Sequence, residues 1–294
     1  MEIKQIRYFI AVAQELHFRN AARRLNISQP PLSYQIRKLE DELGVLLLER
    51  DTRNVTLTKA GKYFYDRSQR ILNKLDKEVA VTQNIHNGQT GSIVLGFSGS
   101  AVFSLLPAII KQSRYIFPDL ILDVRQLTTQ EQIKELNLGN IDVGILVPPV
   151  YDNTINTYTI KREGFNLCVP ENHHLASRHC IDIVELSNEK FVMTRREDGE
   201  GYYDLIIALC MEGGFTPSII QTAKEQQTIV SLVAACIGIA IVPESTRNIA
   251  NTSVVFIPIN SKIRKQSSVA WKEKLQNEEL SSFIEVIKQL RAPD

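Results

Sequence analysis

Pro30 and Pro31 stand side by side, followed at once by Leu32, Ile36, Leu39 and Leu43 at helical spacing. Two adjacent residues without an N–H suit the first turn of a helix, where those donors have no intrahelical partner. A helix is therefore expected over 29–43, stopped by Gly44. Upstream, Ile6, Phe9, Ile10 and Ala13 recur at three- and four-residue spacing. Residues 20–25 offer a second short helix, with Asn20 as its cap and Ala21, Ala22 and Leu25 inward. Only Asn26-Ile27-Ser28 separates it from the proline-led helix. Three short helices connected in this way make a helix-turn-helix.

The outer face of the third helix carries Gln29, Ser33, Tyr34, Gln35, Arg37 and Lys38. These groups reach base edges or phosphates, and a plain helical bundle does not require them. Two apolar runs, 45–48 and 55–57, flank a polar turn over 49–54, which reads as a wing with basic residues at its tip. Residues 1–90 hold 15 Lys+Arg against 10 Asp+Glu, whereas 91–294 hold 19 against 23. The overall charge of +1 thus hides a basic segment suited to a polyanion.

From Thr58, a good helix cap, a long helix begins, with Phe64, Ile71, Leu75, Val79, Thr82 and Ile85 on a roughly heptad stripe and Ser68 as a polar gap. A lone helix of this kind is marginal in water. The compact helix-turn-helix offers it no spare face, so the stripe is expected to meet a second copy rather than its own subunit. Phe64, Ile71, Leu75 and Val79 become dimerisation residues, placing two recognition helices on a two-fold related DNA site. Residues 87–91 read as a hinge.

Beyond it, strands over 92–97, 120–126 and 141–147 alternate with helices over 103–115 and 130–138, a βαβαβ unit with buried parallel strands. A second run follows, with strands over 165–169, 190–194, 218–221 and 239–242, a helix from Tyr202 and another over 226–236. Strands near 254–257 and 267–271 and a helix over 277–290 finish the chain. The first half stops one helix short of enclosing its sheet, so the last strand and helix are expected to return to it. The fold class is α/β multidomain: a winged helix-turn-helix over 1–58, a linker helix and hinge over 59–91, and a two-lobed α/β effector domain over 92–294. Lobe I takes 92–161 and 268–294, lobe II 162–267, with two crossovers between them.

Ligands of such lobes sit at strand C-termini against helix N-termini. Ser98, Ser100 and Phe103 follow the first strand and Thr128 and Thr129 the second, where hydroxyls and N–H groups suit an anion. Across the expected cleft, Arg195 or Arg196 would pair bidentately with a carboxylate, and Tyr202 or Tyr203 would pack on a ring. The competing role of the two arginines is ion pairing with Glu197, Asp198 or Glu200.

Other classes find little support. No run approaches 18 uncharged apolar residues, and the N-terminal segment reads as a first helix rather than a signal peptide, so a cytoplasmic protein is expected. Cys168, Cys180, Cys210 and Cys236 form no C-x-x-C pair and read as reduced small side chains, a redox switch being the lesser alternative. His173, His174, His179 and Cys180 match no common zinc spacing and read as a solvated loop, so no metal or cofactor is expected. Without a G-x-S-x-G elbow, a carboxylate pair or a dinucleotide fingerprint, no catalytic residue is assigned and the chain is not read as an enzyme.

Phe9-Ile10-Ala11-Val12-Ala13, Asn20-Ala21-Ala22-Arg23-Arg24-Leu25, Ser28-Gln29-Pro30-Pro31-Leu32-Ser33, Ile36-Arg37-Lys38-Leu39-Glu40, Leu43-Gly44-Val45 with Leu47, Leu48 and Arg50, and Thr56-Leu57-Thr58 with Ala60 and Gly61 resemble the LysR-type transcriptional regulators. The resemblance implies that Gln29, Pro30, Pro31, Ser33 and Gln35 enter the major groove and that wing residue Arg53 approaches the minor groove. Tyr34 stands where relatives often carry arginine, and its ring would meet, for instance, a thymine methyl. The effector domain is similar in shape to periplasmic binding proteins. Within the stretch 232–243, Cys236 stands where the family commonly has glycine and is read as a packing residue. Gly96-Phe97-Ser98-Gly99-Ser100-Ala101 and Leu127-Thr128-Thr129-Gln130 are similar to members that answer to aromatic carboxylates. The implied partners are a double-stranded DNA operator, a small anionic effector, RNA polymerase, and further copies of the chain as homodimer or homotetramer. A member responsive to redox state or another metabolite is the alternative. A free-standing solute-binding protein would leave the first ninety residues without a use.

Overall fold

Helix α1 (Ile3–Glu15) forms because Ile6, Phe9, Val12 and Ala13 share one buried face. Helix α2 (Phe18–Arg24) starts two residues earlier than the sequence suggested. His17, not Asn20, is its cap, with Nδ1 accepting from the N–H groups of Arg19 (3.2 Å) and Asn20 (3.4 Å). Helix α3 (Gln29–Leu43) has its prolines in the first turn and ends at Gly44, whose φ of 69° a side chain would disfavour. Strands β1 (Leu48–Arg50) and β2 (Val55–Leu57) form the antiparallel wing. Phe9, Leu32, Ile36, Leu39, Leu47 and Leu48 are the core of this part.

The computed structural model describes residues 1–50, 55–86, 91–249, 252–272 and 278–290. Arg53, the hinge residues 87–90 and the side chain of Ile85 lie outside the described residues. Helix α4 (Lys59–His86) is capped by Thr58, whose hydroxyl accepts from the Gly61 N–H at 2.8 Å and donates to the Leu46 carbonyl at 2.8 Å. The chain divides into two compact units, 1–83 and 84–294.

In the second unit, a five-stranded sheet is ordered β4-β3-β5-β13-β6, from β3 (Ser92–Phe97), β4 (Ile121–Gln126), β5 (Val143–Leu146), β6 (Asn156–Glu163) and β13 (Lys265–Trp271). Strand β3 pairs parallel with β4 and β5, and β13 runs antiparallel between β5 and β6. Helices α5 (Leu106–Ile116), α6 (Thr129–Leu138) and α9 (Glu278–Gln289) belong to this lobe; a 3-10 turn (Gly99–Phe103) precedes α5, which starts three residues later than the sequence suggested. The last strand and helix do return to the first lobe. Strand β4 is not the buried strand expected: it lies at the sheet edge with Asp123, Val124, Arg125 and Gln126 exposed.

The second lobe is built on β7 (Phe165–Pro170), β8 (Ile181–Asp182), β9 (Lys190–Met193), β10 (Ser218–Thr222), β11 (Ala240–Pro243) and β12 (Val254–Asn260), with helices α7 (Glu200–Glu212) and α8 (Gln226–Ala234). Its four-stranded sheet is ordered β11-β7-β12-β8, and a parallel bridge from Phe191 to Ile239 connects β9 and β10 to it. Leu167, Val169, Phe191, Met193, Ile206, Leu209, Ile241 and Ile257 fill its core. The chain crosses between lobes twice, from β6 to β7 at Gly164 and from β12 to β13 over 261–264.

Candidate functional site

In the first unit, Leu32, Ile36 and Leu39 turn inward, leaving Gln29, Pro30, Pro31, Tyr34, Arg37 and Lys38 exposed on the opposite side of α3. Tyr34 is 65% exposed, so ring and hydroxyl are both free to meet a groove. Ser33 and Gln35 are both half-buried, and the Gln35 Oε1 is buried with no partner among the described residues. Sequence reasoning missed Glu40. Its carboxylate is buried and accepts from the N–H groups of Leu47 (3.0 Å) and Leu48 (3.1 Å) and from Arg50 Nη2 (2.5 Å). Arg50 in turn lies over the Phe18 ring at 5.1 Å. The wing is therefore held against α3 by one acid, and a charged residue interrupting the Ile36–Leu43 apolar stripe was the available signal.

The α4 stripe divides. Phe64 packs on Phe9, with ring centroids 5.5 Å apart, and belongs to the helix-turn-helix core rather than to a free dimerisation face. The reason is Gly61: a Cβ there would stand 1.9 Å from the Leu47 carbonyl oxygen, so α4 starts in backbone contact with the residue that leads into β1. Ser68 and Leu72 are also buried, and Asp76 meets Arg7 of α1 at 2.7 Å. The helix-turn-helix thus does offer a face to α4. Further along the same stripe, beyond the reach of the helix-turn-helix core, Ile71 is 61% exposed, and Leu75 and Val79 are exposed after it.

In the second unit, a cavity of about 340 Å³ opens between the lobes. Ser98, Gly99 and Ser100 line it from the β3 turn, and Thr128 and Thr129 from the β4–α6 turn. Thr194, Tyr202, Lys224, Glu225 and Gln226 line it from the second lobe. Thr128 caps α6, accepting from the Glu131 N–H at 3.2 Å while Glu131 accepts the Thr128 N–H at 2.7 Å. That backbone hydrogen bond holds the Glu131 carboxyl below its usual pKa. The Thr129 hydroxyl bonds the Val147 backbone, donating to its carbonyl at 3.2 Å.

Five expected effector residues stand elsewhere or act otherwise. Arg195 pairs with Glu197 (2.8 Å) and Asp198 (2.7 Å), and Arg196 with Glu200 (2.6 Å) and Asp204 (2.9 Å). The carboxylates raise both guanidinium pKa values, and neither arginine lines the cavity. Tyr203 packs on the lobe core. Phe103 offers its carbonyl to Asn248 Nδ2 at 2.9 Å and is not in the cavity wall. Tyr202 reaches the wall, but its buried hydroxyl donates to the Ile241 carbonyl at 2.9 Å, and burial pushes its pKa up. The missed residues are Lys224 and Glu225, on the turn between β10 and α8, and Gln226, which opens α8. Glu225 Oε2 takes a 2.5 Å hydrogen bond from Gln126 Nε2 across the cleft, and Gly99 leaves room for it. A third strand-to-helix turn facing the same opening was the signal.

Two family models cover nearly the whole chain: "Bacterial regulatory helix-turn-helix protein, lysR family" over residues 3–62 and "LysR substrate binding domain" over 86–292. The chain is 37% identical over 287 residues to the HTH-type transcriptional regulator AlsR of Bacillus subtilis, spanning 97% of this chain and 95% of that relative. It is 33% identical over 261 residues to the HTH-type transcriptional regulator BenM of Acinetobacter baylyi, spanning 88% and 86%. The solved structure of CbnR, a LysR family transcriptional regulator, matches with a TM-score of 0.77 at 26% identity over 100% of both chains. Full-length CbnR complexed with its target DNA matches at 0.76 and 26% identity, over 99% of this chain and 100% of that one. With a helix-turn-helix ahead of a two-lobed α/β domain, the chain belongs to the LysR family of DNA-binding transcriptional regulators.

Proposed function

We propose that this regulator is a cytoplasmic homodimer or homotetramer switched by a small aromatic carboxylate held between its lobes. The observation that carries the reading is the hydroxyl-rich wall: Ser98 and Ser100 face the same cavity as Thr128 and Thr129, at the ends of two adjacent strands. Its volume of about 340 Å³ suits a single-ring acid. With Arg195 and Arg196 paired, the carboxylate is met by hydroxyls, turn N–H groups and Lys224 rather than by a guanidinium clamp. Exposed Ile71, Leu75 and Val79 on α4 supply the face for a second copy. Gln29, Pro30, Pro31, Ser33, Tyr34 and Arg37 read the operator, Arg53 joins them from the wing, and RNA polymerase meets the DNA-bound assembly.

Binding of matched aromatic and aliphatic acids to the purified protein, followed by thermal stabilisation, tests the effector class. An acid at a hundred times its dissociation constant stabilises by about 2.7 kcal/mol. A shift confined to aromatic acids and reduced in Ser100→Ala and Thr128→Ala supports the reading. A shift with none of the acids, or one indifferent to both substitutions, rejects it.

A further inference from the structure

The geometry points to a divalent transition-metal site on the second lobe, of the zinc class, formed by His173, His174 and Glu189. Sequence spacing does not reveal it, because the third ligand comes from a different turn, fifteen positions beyond His174. His173 Nε2 stands 3.5 Å from Glu189 Oε2, and His174 Nε2 stands 3.5 Å from Glu189 Oε1. Both separations are too long for a good hydrogen bond. Ligand atoms about 2.0–2.2 Å from a tetrahedral zinc are about 3.3–3.6 Å from one another. Each imidazole thus stands at that spacing from one oxygen of the carboxylate, and a rotation of the carboxyl group is needed to bring a single oxygen to both. One donor atom from each of the three side chains falls within 4.8 Å of the other two. Two imidazoles and a carboxylate are the donor set that zinc and its neighbours take, with a fourth position left to water.

Both arms are anchored. The histidines sit on a turn closed by the His173 N–H to the Pro170 carbonyl (3.0 Å) and the Ala176 N–H to the His173 carbonyl (2.9 Å), and Leu175 beside them is buried in the lobe core. Glu189 lies between Leu186 and Phe191, both fully buried, and its N–H bonds the Leu186 carbonyl at 3.1 Å. The two rings lie against each other, centroids 4.4 Å apart and tilted by 34°. Leu175 N–H approaches His173 Nδ1 at 3.4 Å, which turns Nε2 toward the carboxylate. A metal at Nε2 displaces the proton there, Nδ1 takes up a proton, and that long contact is given up.

The site is separate from the effector cavity. Glu189 precedes β9 at one end and Thr194, in the cavity wall, follows it at the other, about 16 Å along the strand. An ion here ties the turn after β7 to the entry of β9, and so stiffens the lobe without occupying the cleft.

The test is zinc titration of the untagged, chelator-stripped full-length protein by calorimetry, with cobalt absorption as a reporter of tetrahedral coordination. One equivalent is expected to bind. His174→Ala and Glu189→Gln each weaken binding by at least about tenfold, since loss of a group that merely orients a ligand already costs that much. The combined His179→Ala and Cys180→Ser variant binds as the parent does. Absence of stoichiometric binding, binding that survives both single substitutions, or binding abolished by the His179/Cys180 change overturns the assignment.

Discussion

Lys265 Nζ lies 2.9 Å from Glu163 Oε1, and the two residues face each other across β13 and β6 at the point where both connections leave the first lobe. Lys265 is fully buried, and the same carboxylate accepts the Ser245 N–H from the second lobe at 2.9 Å. Burial alone would raise the Glu163 pKa, but the charge and hydrogen bond of Lys265, aided by Lys161 and Ser245, hold it below the usual value. Its stabilising contribution is full above the ordinary carboxylate range and is lost as pH falls through the lowered value. Glu163→Gln strands a buried ammonium and is expected to cost about 3–5 kcal/mol in urea unfolding. Glu163→Gln combined with Lys265→Met is expected to recover most of that loss.

Glu40 is expected to govern the wing. Glu40→Ala orphans the N–H groups of Leu47 and Leu48 and frees Arg50. The local cost is about 2–4 kcal/mol, from two unpaired buried donors. Hydrogen exchange at those two amides should accelerate accordingly. Affinity for an operator selected from random duplexes should fall, although Glu40 points away from the reading face.

The thiols divide by burial. Cys168 and Cys210 are buried, which pushes each up to about 12, whereas Cys180 and Cys236 are exposed. Alkylation of the native protein near pH 8 is expected to label Cys180 and Cys236 and spare the other two until the chain unfolds. Labelling of all four at one rate would show that the second lobe opens freely.

Cys236 is not the packing residue expected from sequence: it is exposed and holds φ at 58°. Glycine adopts that conformation without strain. Cys236→Gly is therefore expected to raise stability by about 0.5–1 kcal/mol, the relief of the left-handed backbone less the added freedom of the unfolded chain. An unchanged or lower melting temperature would mean that the turn is not strained.

What was legible in the sequence followed from periodicity and punctuation. The paired prolines and Gly44 bracket α3 at both ends, and the strand-to-helix turns at Ser98 and Thr128 were visible as turns that line a cavity. Features set by distant partners were not legible. Arg195 and Arg196 read equally well as ligand clamps or ion pairs until Asp198 and Asp204 were seen beside them. Strand β6 went unnoticed because it is an edge strand whose residues alternate too weakly to announce a buried face. Phe64 fits the heptad stripe as well as Ile71 does, and only the approach of Gly61 to Leu47 separates them.

Gly201 sets how closely the lobes meet. It lies in the first turn of α7, and a Cβ there would stand 2.1 Å from the Pro148 carbonyl oxygen and 3.0 Å from Pro149 Cδ, on the other lobe. Backbone cannot swing aside as a side-chain tip can, so Gly201→Ala must push α7 away from the first lobe. Overpacking of this kind costs about 1–3 kcal/mol, and the widened cleft should bind any effector more weakly. Gly199→Ala is the matched control: its Cβ meets Thr194 Cγ2 at an ordinary 3.6 Å and is expected to change little. If both variants melt at the parent temperature, the Pro148 contact yields without cost, and the lobe junction is a soft hinge rather than a fixed stop.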